Sequence, residues 1–208
     1  MKLTKKKVLV AAIALSLVAI VSVSTLAWFQ ATDEVTNYFK VSTDDETQRP
    51  DFKLDLFEHE HVDGILTEKE VEENTYEHVA PGDVLKKDPT VRNDGQYDQW
   101  VRVIITLADY DEWEAALGDK FEFNKCFVDF NDAWVLDKAT AGTDTLVFYY
   151  NAKLLAGEEA VIFQAFYVPA DFTVENMPVE FQLDIVAEAI QADNTGSSAQ
   201  EAFANYWN

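Results

Sequence analysis

The 208-residue chain carries 38 Asp and Glu against 16 Lys and Arg, a formal net charge of −22, with 48% apolar and 13% aromatic residues. That apolar content excludes a disordered acidic tail, and the charge excludes nucleic acid and anionic membrane surfaces as partners. Cys126 is the one cysteine, so no internal disulfide forms and packing must supply the stability.

Residues 1–27 contain Lys2, Lys5, Lys6 and Lys7 and no acid, and the run 8–23 is apolar except for Ser16 and Ser22. A basic start, an apolar centre and a small-residue exit predict a secretory signal peptide cleaved between Ala27 and Trp28. The competing reading is a permanent anchor, since 8–29 is long enough to cross a hydrocarbon core of ~30 Å. The apolar centre of about 16 residues, with no positive cluster behind it, favours cleavage. Residues 28–208 then hold 12 basic and 38 acidic side chains, a charge of −26. The expected organisation is a signal peptide over 1–27, a β-domain over 28–190 and a C-terminal segment with a short helix over 191–208.

Beyond residue 28 the hydrophobic period is mostly two. Phe52, Leu54 and Leu56 alternate with Lys53 and Asp55, which predicts a strand over 51–57. The β-branched run WVRVIITL predicts a central strand over 100–107. Further strands are expected over 121–127, 146–150, 160–168 and 179–190, with shorter ones over 36–41, 89–93 and 134–136. Helical pattern is confined to 112–117, closed by Gly118, and to 199–207. Residues 63–78 are acidic and weakly patterned and read as a long exposed loop.

Turn chemistry punctuates the strands. Pro81 presets φ and Gly82 permits a positive one, so Pro81-Gly82-Asp83 makes a tight turn before a strand. Pro89 sits where a strand starts and a missing N–H does least harm. Asn93-Asp94-Gly95 turns the chain into the long strand. Many short strands and no alternating helices predict an all-β fold, a jelly-roll-like antiparallel β-sandwich with short peripheral helices.

The stretch VAPGDVLKKDPTVRNDGQYDQWVRVII resembles a motif of the TasA/camelysin family of secreted Gram-positive proteins. Three further blocks are similar to it in order and spacing: TLAWFQATDEVTNYFKVS at the signal-peptide exit, LLAGEEAVIFQAFYVP, and FQLDIVAEAIQADN followed by AQEAFANYW. The resemblance covers about half of the chain. It implies a β-sandwich subunit of the cell surface or biofilm matrix, exported with a SipW-type signal peptidase and touching the membrane only during export. It also implies self-association into fibres, or service as an accessory to related matrix subunits. The mature N-terminal segment 28–41, with Trp28, Phe29, Val35, Tyr38, Phe39 and Val41, is the candidate donor strand, and pairing with its own sandwich is the competing role.

The rival implication is a camelysin-like secreted metallopeptidase. Zinc peptidases use an HExxH helix, and His59, His61 and His78 do not have that spacing. His59 and His61 would share one face of a strand and are the weak zinc candidates, solvated surface histidines being the preferred reading. No catalytic residue and no cofactor are expected; Ca²⁺ or Zn²⁺ are the ions such a surface could take. Cys126 reads as a packed thiol without the cationic neighbour a nucleophile needs. Asp129-Phe130-Asn131-Asp132 hints at a calcium loop but lacks the following ligands and glycine. The acidic stretch 68–73 reads as a solvated face. Trp100, Trp113 and Trp134 would suit a carbohydrate-binding module if exposed, and packing is their expected role.

Overall fold

Strand β6 (Gln99–Leu107) carries the β-branched run and sits at the centre of the fold. Val101, Val103, Ile105 and Leu107 are all 0% exposed, while Arg102, Ile104 and Thr106 on the opposite face are half-buried. Both edges of β6 are paired. β12 (Leu183–Gln191) matches it antiparallel over nine positions, from Leu183 opposite Leu107 to Gln191 opposite Gln99. β9 (Thr145–Tyr150) runs antiparallel along the other edge, and β8 (Trp134–Leu136) lies beyond β9. With β1 (Gln30–Glu34) next to β12, the five-stranded order is β1-β12-β6-β9-β8.

These are features of a computed structural model that describes residues 30–34, 52–173, 175–178 and 180–206. Backbone contacts divide the chain into two units between Gln30 and Ala31, and the architecture here is that of Ala31–Asn208. The expected signal peptide, its Ala27–Trp28 cleavage site and the strand over 36–41 lie outside the described residues, as do Phe29, Val35, Tyr38, Phe39 and Val41.

The opposing layer is built from shorter pieces: β2 (Asp55–Val62), β3 (Ile65–Val71), β4 (Val84–Lys86), β5 (Thr90–Arg92), β7 (Phe127–Val128), β10 (Glu159–Val161) and β11 (Ala165–Tyr167). It divides into sheets of order β10-β5-β2-β3 and β4-β11-β7, yet one register runs through both. Thr90 faces Val161 and Lys86 faces Ala165 in the same antiparallel phase. Between them Ile162 N–H donates to the Pro89 carbonyl at 2.8 Å and Lys87 N–H to the Gln164 carbonyl at 3.3 Å. β4 and β5 are thus one strand creased at Pro89, which has no N–H for the ladder. The strand expected over 160–168 is correspondingly two, and Ile162 and Phe163 turn fully into the core at the crease.

Other expected elements differ as well, and the strand expected over 179–190 starts at Leu183. Within the strand expected over 51–57, residues 52–54 are not strand; β2 starts at Asp55 and runs on to Val62, with a buried acid, Glu58, at the inward position after Leu56. Residues 63–78 are no loop throughout: Asp63 and Gly64 both take positive φ, 51° and 84°, the two-residue turn that matches strand twist, and β3 follows. Residues 121–127 form no continuous strand. A 3-10 turn over Phe123–Lys125, with Cys126 N–H donating to the Phe123 carbonyl at 3.0 Å, sends Phe123 and Cys126 inward three residues apart.

The core between the layers is aromatic. Phe127 meets Phe123, Phe148, Phe163 and Phe166 within 4.9–6.2 Å of ring centroid. Trp113, the anchor of α1 (Tyr110–Leu117), stands edge-on to Phe172 at 5.0 Å and Phe181 at 5.1 Å. The helix α2 (Ala199–Tyr206) covers the far face of β6, where Phe203 packs with Trp100 and Ile190, and the Arg102 guanidinium lies 4.4 Å from the Phe203 ring. Ser198 and Glu201 cap α2, and Gly196 is required before it because a Cβ there would lie 2.8 Å from Ala202 N.

Asn93 ties the entry to β6. It is 0% exposed, and its Nδ2 donates to the Tyr97 carbonyl at 2.8 Å and the Leu154 carbonyl at 2.9 Å, while Oδ1 accepts from Gly95 N–H at 3.0 Å. Its backbone adds bonds with Glu158 and Gly157. Replacing it strands buried partners, each costing about 1–3 kcal/mol. Asn93→Ala is expected to lower the urea midpoint by an amount equal to about 3 kcal/mol, with Asp94→Ala, at an exposed carboxylate on Arg92, costing under about 1 kcal/mol. Equal midpoints for the two variants would contradict this role.

Candidate functional site

Part of the candidate donor segment is described. Gln30–Glu34 forms β1 beside β12 of its own chain, at one end of the five-stranded sheet. The opposite end is β8, whose central residue Val135 is exposed.

The PGD turn clamps two segments together. Gly82, at φ +89°, donates its N–H to the Val168 carbonyl at 2.9 Å, and Val168 N–H returns a bond to the Asp83 carbonyl at 2.9 Å. Asp83 Oδ2 accepts from Ala80 N–H at 2.7 Å. The chain therefore enters β4 already attached to the end of β11.

A polar cluster is centred on Glu58 and His59 of β2. The Glu58 side chain is fully buried and ion-paired with the nearly buried Lys87. Asn74 Nδ2 donates to Glu58 Oε2 at 3.0 Å and to the His59 carbonyl at 2.9 Å, and its Oδ1 accepts from His61 N–H at 2.8 Å. Asp88 accepts from His59 N–H at 2.9 Å and lies 2.6 Å from His59 Nδ1. The Tyr76 hydroxyl donates to the Lys86 carbonyl at 2.5 Å, and burial, with the negative charges of Glu58 and Asp88, holds its pKa well above the usual phenol range. Sequence reasoning missed this cluster. Its members are spread over 58–88, and an acid at an inward strand position carries no hydrophobic signal.

The three histidines have separate surroundings. His59 is held by Asp88 and edge-on to Phe57, so it is only partly the solvated side chain expected. His61 lies against the Tyr76 ring at 5.0 Å, beyond a register shift that separates it from His59. His78 is exposed at φ +61°. Among the described residues no group of three or more His, Cys, Asp or Glu is placed to hold a metal ion.

Cys126 is buried, and burial pushes its thiol up to about 12, so it carries no thiolate at neutral pH. Asn131 spends its side chain on the Val161 carbonyl and Ala133 N–H, at 2.9 Å each, which makes 129–132 a structural turn. Trp100, Trp113 and Trp134 are all buried and offer no stacking platform to a sugar. In the acidic stretch 68–73, Glu70 is bound to Arg92, whose hydrogen bond lowers the Glu70 pKa.

A trough of about 1130 Å³ opens between residues 73–81 and residues 177, 178 and 180–184. Leu85, Phe166 and Phe181 are among the apolar side chains of its floor, and Glu73, Glu77, Glu180 and Asp184 stand on its walls. Among the described residues no helix is long and apolar enough to cross a membrane. No protein-family model, curated protein or solved structure matches the chain.

Removing one partner of a buried ion pair leaves an uncompensated charge, at a cost of about 3–5 kcal/mol. Lys87→Met is expected to destabilise the protein by that amount in urea titration. Adding Glu58→Gln should recover more than half of the loss. A single variant as stable as the parent would show that Glu58 does not depend on Lys87.

Proposed function

We propose that the chain is an exported structural subunit of the bacterial cell surface or extracellular matrix, which self-associates by strand addition through a jelly-roll-like sandwich. The pairing pattern supports the jelly roll. β1 neighbours β12, β4–β5 pair β10–β11, and β6 pairs β9, the nested order of one long hairpin rolled into two layers. β7 beside β11 extends the roll, and the hairpin β2–β3 is an addition at its edge.

The observation that carries the assembly reading is the edge of β12. The nine-residue β12 is covered on that edge by the five-residue β1, which belongs to the candidate donor segment 28–41. A strand that closes its own sheet satisfies the same backbone groups when it closes a neighbour's, so exchange between copies adds subunits at little cost. After export the charge of residues 28–208 is −26, and copies repel one another until salt or a counter-charge screens them.

Electron microscopy of residues 28–208 against residues 42–208 tests the donor role. Fibres or extended oligomers are expected from the longer chain alone. Equal fibre formation by the shorter chain would remove the donor segment from the mechanism.

A further inference from the structure

The trough reaches the start of β12, at Leu183 and Asp184, and has its own chemistry. Its walls carry Glu73, Glu77, Glu180 and Asp184, three of them exposed, against one lysine, Lys87, which is already paired with Glu58. Asp184 is held by Gln182 Nε2 at 2.6 Å, so its carboxylate is fixed on the wall. The floor is apolar: Phe166 is buried at the bottom, with half-buried Leu85 and Phe181 beside it. Leu85 belongs to β4, the outermost strand of its ladder, and the Tyr76 hydroxyl already holds the Lys86 carbonyl of that strand, so the apolar floor and the acidic walls carry the recognition. The volume of about 1130 Å³ exceeds the roughly 300–1,000 Å³ of small-molecule pockets.

We propose that this trough docks an extended, lysine- or arginine-bearing segment of another protein. The segment's apolar side chains rest on Leu85, Phe166 and Phe181, and its cations face Glu73, Glu77, Glu180 and Asp184. Charge complementarity selects the occupant. A second copy of this chain is itself strongly acidic, and its segment 28–41 holds Asp33 and Glu34 against Lys40 alone. An acidic wall repels that segment and attracts a basic one. An alternating basic and apolar strand presents both features at once, because successive side chains point to opposite faces. A basic partner bound here would also lower the charge that keeps copies apart.

The test uses the chain from residue 28 and a ten-residue peptide of alternating lysine and valine, titrated by calorimetry at physiological salt. Controls are ten lysines, alternating glutamate and valine, and a peptide of residues 28–41. The lysine–valine peptide is expected to bind tightest. Glu73→Lys with Glu77→Lys should weaken it at least about tenfold. Glu112→Lys with Glu114→Lys, the same charge change on exposed positions of α1, should leave it within about twofold. Equal losses in the two double variants would mean that the overall field alone attracts the peptide, and would overturn the site. Equal binding of ten lysines, tighter binding of 28–41, or no binding would overturn it as well.

Discussion

β12 is held by nine matched residues of β6 on one side and by the five-residue β1 on the other. Buried backbone groups must be paired, and an uncovered strand edge invites another chain. The inner face of β12 helps to close the core, with Ile185, Ala187 and Ala189 opposite Ile105, Val103 and Val101. Its outer face meets α2 through Ile190. The strand cannot leave without opening the core, so its remaining edge has to be covered by whatever segment reaches it. That constraint links the fold to the proposed assembly.

The electrostatics follow from packing so many acids around an aromatic core. Arg92 serves four carboxylates, Asp55, Glu70, Asp94 and Glu159, and stacks on Phe57 at 4.6 Å. These groups lie on or beside β2, β3, β5 and β10, so a single cation ties the hairpin β2–β3 to the layer. Arg102 does the same on the other sheet, bonding Glu188 at 2.5 Å while lying on Phe203. Each half-buried cation relieves acids nearby and also covers an apolar ring. The unrelieved acids collect at the surface, notably on the walls of the trough.

The long strands were legible because their residues obey one rule over many positions. β6, β9 and β12 alternate or run β-branched, and 134–136 matches β8. Where the period failed, a specific contact had replaced it. Glu58 reads as exposed until Lys87 is placed beside it, and those residues meet only in the fold. Phe123 and Cys126 share an inward direction through a 3-10 turn, which mimics alternation nearby. The hairpin β2–β3 was written in Asp63-Gly64 between Val62 and Ile65, a strong turn signal hidden by the acidic composition around it. The polar cluster and the trough gather residues separated by up to about a hundred positions, and no local pattern marks such a site.

Assembly by strand addition requires exchange of β1 at the β12 edge. A benzophenone cross-linker replacing Thr32, in material assembled from mixed ¹⁴N- and ¹⁵N-labelled protein, reads that exchange directly by mass spectrometry. Cross-links from position 32 to residues 183–191 that join the two isotopes are predicted in the assembled material, and single-isotope links in the monomer. Assemblies whose links to β12 all remain within one isotope would show that β1 stays on its own sheet, and that the subunits join elsewhere.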